Sequence, residues 1–184
     1  MRMKRLWLCV AATLVMVSCI HVDDFGKYWD KGVVDPALEG TWKNIRLPGS
    51  DIKPEKVRFT RTGSSYSMYL VYSYGDTPAR SARTLRVGKQ KLLMTRSRER
   101  RDDDYLWGYT VHGRTLSEYW CQSDAVDEFL RTRHPDAKNI HQGGDMSQLV
   151  KIGTFDDEVF RILSELADNP TYWTLVRRYE KVSN

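Results

Sequence analysis

The alternation of apolar and polar residues between residues 57 and 120 constrains the fold of this chain more than any other feature. Val57 and Phe59 alternate with polar neighbours, and the run from residue 65 to 74 places a large apolar side chain at every second position. A period of two is typical of a strand with one buried face. Turn residues separate about seven such runs at short, regular intervals, which indicates a sandwich or a barrel of antiparallel strands.

The apolar period changes to that of a helix after residue 122. Ser123 can cap a first helix that Pro135 ends, and a second helix follows the imperfect capping box Thr154–Asp157 and stops before Pro170. A last strand is predicted over residues 172–181. The fold class is therefore mostly β (α+β): an antiparallel β-barrel or strongly curved sheet with two helices in the C-terminal half.

The first eighteen residues have the parts of an export signal. The positive head contains Arg2, Lys4 and Arg5. A core of twelve residues follows, from Leu6 to Val17, and it is apolar except for Thr13. As a helix, such a core spans about 18 Å. Its residues are fewer than the ~20 that a membrane-spanning helix needs. The segment is therefore predicted to direct export and to be a poor permanent anchor.

The residues Met16-Val17-Ser18-Cys19 resemble the lipobox of bacterial lipoproteins. The resemblance implies that Cys19 receives a diacylglycerol, that residues 1–18 are removed as a signal peptide, and that the new amino group is acylated, for example with palmitate. Ile20 rather than an aspartate follows the cysteine. By resemblance to the sorting pattern of Gram-negative lipoproteins, this favours a lipid-anchored position on the periplasmic face of the outer membrane. The alternatives are an ordinary signal peptide cleaved elsewhere and an uncleaved signal anchor.

Cleavage before Cys19 would leave 166 of the 184 residues, enough for one core. We expect a lipidated N-terminus and tether over residues 19–37, which partly packs back onto a single β-rich domain over residues 38–184. The net charge would fall from +5 to +2 with loss of the basic head, which argues against a nucleic-acid partner. Cys121 would be the one unlipidated cysteine, and we expect it to be a small buried side chain.

Gly40-Thr41-Trp42, at the start of the first predicted strand of the domain, resembles the Gly-x-Trp signature of lipocalin-like barrels. The resemblance implies that Trp42 closes the bottom of a barrel and that a late arginine, Arg177 or Arg178, packs across its indole. The alternative is that Trp42 is a core residue of another kind of antiparallel β domain.

A barrel of eight strands has an interior that either side chains or one small apolar ligand can fill. Both outcomes stay open from the sequence. The residues that could line a ligand pocket are Trp42, Tyr66, Met68, Leu70, Tyr72, Trp107 and Tyr109.

A group of arginines on two neighbouring predicted strands and the following loop could form a patch for phosphate or carboxylate groups. Its members are Arg80, Arg83, Arg86, Arg96 and Arg98. The alternative is a solvated hairpin tip that the acidic residues 102–104 neutralise.

No motif for a nucleophile, a metal or a nucleotide cofactor is present, so we predict no cofactor and no metal. The four histidines do not assemble into a site from their spacing. His134 and His141, with Asp136 and Asn139 between them, could in principle give nitrogen and oxygen ligands to zinc, but a loop histidine beside a helix end is more often structural or solvated. An enzyme would need a cleft that brings together residues such as His112, Glu118 and Asp145. The chain is therefore predicted to be a non-enzymatic binding or scaffolding lipoprotein whose partner is another envelope protein, or, alternatively, a lipocalin-like carrier of a small apolar ligand.

Overall fold

The computed structural model describes residues 17–18, 20–45, 54–72, 75–77, 79–97, 104–142 and 150–183. The strands within them are β1 (Val17–Ser18), β2 (Ile20–Asp24), β3 (Gly40–Ile45), β4 (Lys56–Thr62), β5 (Ser65–Tyr72), β6 (Gly75–Asp76), β7 (Arg80–Val87), β8 (Gln90–Ser97), β9 (Tyr105–His112), β10 (Thr115–Gln122), β11 (Ile140–Gln142), β12 (Val150–Thr154) and β13 (Trp173–Ser183). The helices are α1 (Lys27–Lys31), α2 (Ser123–Arg133) and α3 (Asp157–Ala167), and 3₁₀ turns occur at Pro36–Leu38 and Pro170–Tyr172. Most of the predicted signal peptide, Cys19 and Arg98 lie outside the described residues.

Eight of the strands close into an antiparallel barrel in the order β3, β4, β5, β7, β8, β9, β10 and β13. The last of them, β13, pairs with β10 on one side and with β3 on the other, and this pairing closes the barrel. The helices α2 and α3 lie in the C-terminal half, between β10 and β13. The predicted mostly β fold, with an antiparallel barrel and two late helices, is therefore confirmed. None of the described helices is long and apolar enough to cross a membrane.

The α3 helix begins after Asp156, whose carboxylate accepts a hydrogen bond of 2.9 Å from the backbone N–H of Val159. The sequence prediction that Thr154 opens a capping box is therefore wrong, because Thr154 is the last residue of β12. Asp156 caps the helix in the same way, two residues later.

Two apolar cores lie on opposite faces of the sheet formed by β7, β8 and β9. The inner core fills the barrel and contains Leu38, Trp42, Val57, Phe59, Tyr66, Met68, Ala82, Leu93, Tyr109, Leu116 and Tyr179. The outer core lies between the barrel and the helices, and it includes Leu85, Val87, Leu92, Met94, Leu106, Phe155, Ile162 and Leu166. Successive side chains of a strand point to opposite faces, so the run Leu92-Leu93-Met94 supplies both cores.

A β-bulge in β13 changes which face its side chains occupy. Glu118 of β10 lies opposite Arg177, but the next residue, Tyr119, lies opposite Leu175. The extra residue shifts the alternation, so that Trp173 lies in the outer core while Tyr179 lies in the inner core. The bulge thereby directs Arg177 into the barrel.

The segment before β3 is part of the folded domain, although the sequence predicts a tether there. Strand β2 lies between β9 and β12 and pairs with both. Ile20, Val22 and Phe25 of this segment are at most 1% exposed. The hydroxyl of Tyr28, in α1, donates a hydrogen bond to Asp157 of α3. Residues 20–38 therefore wrap around the barrel and reach its end.

The two ends of the barrel differ. At one end β4 joins β5, β7 joins β8 and β9 joins β10 through two-residue turns, and Gly63, Gly88 and Gly113 adopt positive φ there. The 3₁₀ turn Pro36–Leu38 covers this end, which we call the plugged end. At the other end, the mouth, the connections are longer and span residues 46–55, 73–79, 98–104 and 123–172.

Candidate binding site inside the barrel

The barrel interior contains a narrow pocket that is partly open to solvent, and its free space has room for about one water molecule. Large side chains keep this space narrow. Most of the lining is apolar or aromatic, which is typical of sites for small organic ligands. The lining residues are Leu38, Val57, Phe59, Leu70, Leu93, Trp107, Tyr109, Leu116, Glu118, Arg177 and Tyr179.

The residues that the sequence suggested for a pocket fall into two groups. Leu70, Trp107 and Tyr109 line the space. Trp42, Tyr66 and Met68 are fully buried in the same inner core but belong to its filled part, and the half-buried Tyr72 ends β5. Side chains therefore fill most of the interior, and a ligand pocket in the remaining space stays a prediction.

One ion pair interrupts the apolar lining. A guanidinium nitrogen of Arg177 lies 2.9 Å from Oε1 of Glu118, and the two side chains are 14% and 6% exposed. The indole N–H of Trp120 donates to the same carboxylate over 2.6 Å, and the hydroxyl of Tyr179 donates to Oε2 over 3.1 Å. The guanidinium also lies 4.9 Å from the centre of the Trp120 ring. Glu118 therefore accepts three hydrogen bonds in a site that water scarcely reaches.

The cluster around Glu118 gives the pocket a single polar wall. Burial and the neighbouring carboxylate raise the pKa of Tyr179 well above its usual value, so this hydroxyl stays protonated and acts as a donor. The sequence predicts other roles for Glu118 and Arg177, namely a catalytic cleft for Glu118 and packing over the Trp42 ring for Arg177. The inward position of Glu118 follows from the sequence, because the alternation of β10 places Leu116, Glu118 and Trp120 on one face.

A second polar cluster holds the 3₁₀ turn Pro36–Leu38, which we call the plug, in place. The carboxylate of Asp35 lies 2.6 Å from Nζ of Lys91 and accepts a hydrogen bond of 2.8 Å from the hydroxyl of Tyr109. Burial opposes ionisation of Asp35, but the hydrogen bonds from Lys91, Tyr109 and the backbone N–H of Ala37, together with the charge of Lys91, outweigh it and lower the pKa of this carboxyl. The hydroxyl of Tyr66 donates to the backbone oxygen of Asp35 over 3.0 Å, and burial raises the pKa of Tyr66 to about 12.

Trp42 lies at the plugged end, where its indole N–H donates a hydrogen bond of 2.7 Å to the backbone oxygen of Leu38. The cation over its ring is Lys181, with Nζ 5.4 Å from the ring centre. The sequence expectation of Arg177 or Arg178 in this place is wrong, because Trp42 pairs directly with Lys181 in the sheet. Arg177 lies over Trp120 instead, and Arg178 is exposed.

The arginines of the predicted anion patch lie in separate places. Arg83 and Arg96 lie over the Trp29 ring on the outer face, at 5.3 and 4.5 Å from its centre. Arg80 lies over Tyr105 near the mouth, and the exposed Arg86 lies near the plugged end of the same strand. The patch as an anion site stays a prediction.

The neighbours of Arg83 and Arg96 include carboxylates. Nη1 of Arg83 lies 3.6 Å from Asp30, and Nε of Arg96 lies 3.3 Å from Asp104. Asp104 is 4% exposed, and its burial raises the pKa of this carboxyl despite a hydrogen bond from the backbone of Ser97 and the charge of Arg96. The acidic residues 102 and 103 lie outside the described residues.

The other candidate residues form no second site in the described part of the chain. Nε2 of His134 lies 3.1 Å from a Glu165 oxygen, and His112 ends β9 at the surface. Cys121 is buried in the outer core, as predicted. No group of three or more His, Cys, Asp or Glu residues there could hold a metal ion, and Asp145 lies outside the described ranges.

Comparisons with protein-family models, with curated proteins and with solved structures found no match for this chain.

Proposed function

We propose that this chain is a lipoprotein of the bacterial envelope, anchored through Cys19, that acts as a non-enzymatic binding module. The barrel interior is its binding site. The observation that carries this proposal is a closed barrel with one plugged end and an internal pocket whose lining is apolar except for the polar wall at Glu118. The lining matches a small ligand with an apolar body and one group that forms hydrogen bonds. The free space holds only about one water molecule, so such a ligand would enter by displacing lining side chains.

Catalysis is a weaker interpretation of the same site. The carboxylate of Glu118 already accepts hydrogen bonds from Arg177, Trp120 and Tyr179. Because these bonds hold the carboxylate, it is not free to exchange a proton with a substrate. General acid or base catalysis requires a group within reach of the substrate proton. A binding role needs only the shape and the apolar surface of the pocket.

Displacement of a fluorescent fatty acid tests the pocket. The full chain with Cys19→Ser would be titrated with the probe, and we expect saturable binding at micromolar concentrations. Leu70→Trp adds bulk inside the pocket and should abolish binding, whereas Val33→Trp, at a position 60% exposed, should leave it unchanged. Absence of saturable binding, or equal binding by both variants, would contradict the proposed site.

Mass spectrometry of the mature N-terminus tests the anchor. We expect a chain that begins at Cys19 and carries acyl groups, and incorporation of labelled palmitate that Cys19→Ser abolishes. An unmodified Cys19 in the mature protein would refute this part of the proposal. The two experiments are independent, so one half of the proposed function can fail without the other.

A further inference from the structure

One half of the barrel wall, formed by β13, β3, β4 and β5, has an outer face that is exposed to solvent. Lys56, Arg58 and Thr60 of β4 are exposed, while Val57 and Phe59 between them lie in the inner core. The helices lie against the other half of the wall, where α1 and α3 contact β7 and α2 contacts β10. A partner could therefore reach the outer face of β13, β3, β4 and β5 directly.

Four exposed cationic side chains lie close together on this outer face, around Lys43. Lys43 lies directly opposite Lys56 on β4 and directly opposite Glu180 on β13. Arg58 and Arg178 occupy diagonal positions, since Arg58 follows Lys56 by two residues and Arg178 precedes Glu180 by two. Cβ atoms of directly opposite residues are about 5 Å apart, and those of diagonal residues about 7–8 Å. We call the surface formed by Lys43, Lys56, Arg58 and Arg178 the basic face.

The charges of the basic face are not balanced locally. Glu180 offsets one of the four cations, and alternation directs the exposed Glu55, which precedes β4, to the other side of the sheet. Lys43, Lys56 and Arg178 form no ion pair with a carboxylate of the described residues. Like charges directly opposite each other in a sheet are destabilising. The arrangement therefore costs free energy within the fold, which an anionic partner outside the chain would offset.

The side chains beside the four cations are amphipathic or apolar. Tyr69 lies directly opposite Arg58, and the guanidinium carbon of Arg58 lies 4.7 Å from the centre of the Tyr69 ring. Ile45, directly opposite Arg178, is 40% exposed. Tyrosine is enriched at the level of lipid headgroups, where its ring lies between the apolar and the aqueous phase. The surroundings of the basic face therefore match the interface of a bilayer.

We propose that the basic face binds a phospholipid surface that carries anionic headgroups. Each Lys or Arg near such a surface strengthens binding about fivefold. A protein partner matches the face less well, because protein interfaces are depleted of lysine and have an apolar, aromatic centre, whereas the centre here is Lys43. The inference goes beyond the proposed function and needs neither an acyl group on Cys19 nor the barrel pocket.

Energy transfer to labelled lipid headgroups tests this contact. Thr60→Cys, exposed on β4 and two residues beyond Arg58, would carry a donor dye on the full chain with Cys9→Ser and Cys19→Ser. Cys121 is 1% exposed, so the chain without Thr60→Cys controls for background labelling. We expect half-maximal transfer at a lower lipid concentration with phosphatidylglycerol vesicles than with phosphatidylcholine vesicles. This difference should vanish in about 0.5 M salt, where the Debye length is about 4 Å.

Removal of two charges identifies the surface responsible. Lys43→Gln with Lys56→Gln should reduce the preference for phosphatidylglycerol about 25-fold, at about fivefold for each charge. Arg86→Gln with Lys89→Gln removes the same charge from exposed positions in the β7–β8 hairpin, on the other half of the barrel, and should leave the preference nearly unchanged. The basic head of residues 1–5 is common to all these chains, so its attraction for lipid cancels in the comparison.

The double lysine variant should be at least as stable as the parent chain in urea, because it removes two like charges that lie opposite each other. Arg178→Gln, with an expected loss of about fivefold, replaces it in the test if the double variant does not fold. An unchanged preference in the folded variants, or equal losses in the two double variants, would overturn the proposal. Loss of the preference in excess inorganic phosphate at constant ionic strength would indicate a site for soluble phosphate compounds and would also overturn it.

Discussion

Glu118 is a charged residue within an apolar barrel, and its tolerance there has a specific cause. A buried carboxylate is costly unless it is paired and hydrogen-bonded, and Arg177, Trp120 and Tyr179 supply three donors. The sequence could place Glu118 on the inner face of its strand. It could not identify the partner, because 59 residues and two helices separate Glu118 from Arg177.

We expect Arg177→Ala to destabilise the protein by about 3–5 kcal/mol, because it leaves the Glu118 carboxylate buried without its counter-charge. Urea unfolding of the Cys19→Ser chain at pH 7 measures the effect. The double variant Glu118→Leu with Arg177→Met should recover most of the loss. The exposed pair Arg161 and Glu165 is the control, and Arg161→Gln should cost less than about 0.5 kcal/mol. Equal effects of the two arginine variants would contradict this account.

Asp35 provides a prediction for the pH dependence of stability. The folded state lowers the pKa of this carboxyl below its ordinary value of 3.8, so its charge stabilises the fold fully above that value, and the contribution is lost as the pH falls through the folded pKa. Asp35→Asn should therefore lower the free energy of unfolding by about 1–3 kcal/mol at pH 7, and by progressively less below about pH 4. Urea unfolding across this pH range measures the difference. A difference that does not change with pH would show that the charge of Asp35 is irrelevant.

At the scale of single elements, local pattern predicted the type of most strands and helices but not how they pair. The alternation of β13 is interrupted between Leu175 and Arg177, and the sequence carries no sign of this bulge. The register that places Lys181 rather than an arginine beside Trp42 depends on pairing between the first and last strands of the barrel. A period of two describes the side chains within one strand, so it predicts neither the bulge in β13 nor the register between the first and last strands of the barrel.

The turn between β7 and β8 allows a test of how tightly α3 packs on the barrel. Gly88 and Gly63 both have positive φ, so alanine at either position costs about 1–2 kcal/mol of backbone strain. A Cβ atom at Gly88 would also lie 2.6 Å from Oδ1 of Asp168, next to the end of α3, whereas one at Gly63 would have no neighbour within 4 Å. Gly88→Ala should therefore lower the midpoint of urea unfolding further than Gly63→Ala does. In an Asp168→Ala background, the difference between the two alanine substitutions should shrink but not vanish, because the Cβ atom at position 88 would still lie 3.3 Å from the backbone oxygen of Ser164.

At the scale of the whole molecule, the sequence predicted one domain with a closed or strongly curved antiparallel sheet, and the barrel confirms that fold class. The presence of two cores was not predicted, because strands β7 to β9 serve both and their apolar residues alternate only in part. The pocket also depends on non-local packing, since its lining comes from six barrel strands and from Leu38 of the plug. From composition and the period of the apolar residues alone, only a set of aromatic residues that could line such a site can be predicted.

Residues 20–37 should be essential for folding, although the sequence suggested that the domain starts at residue 38. Their removal exposes apolar surface in both cores and deletes Asp35, which caps the 3₁₀ turn at the plugged end and anchors it to Lys91 and Tyr109. A chain that begins at Leu38 should show no cooperative urea transition, whereas a chain that begins at Ile20 should unfold in one step. Circular dichroism of the two chains provides the measurement. A cooperative transition in the shorter chain would contradict an integral role for this segment.

The partners of β2 come from distant parts of the sequence, at residues 105–106 and 150–154. Contacts between such remote segments form late, because the intervening loop must close first. A polypeptide threaded through a translocation channel from its front end would keep β2 unpaired until the region near residue 150 had emerged. Any acylating enzyme would have that interval in which to reach the thiol of Cys19, before Ile20 becomes enclosed.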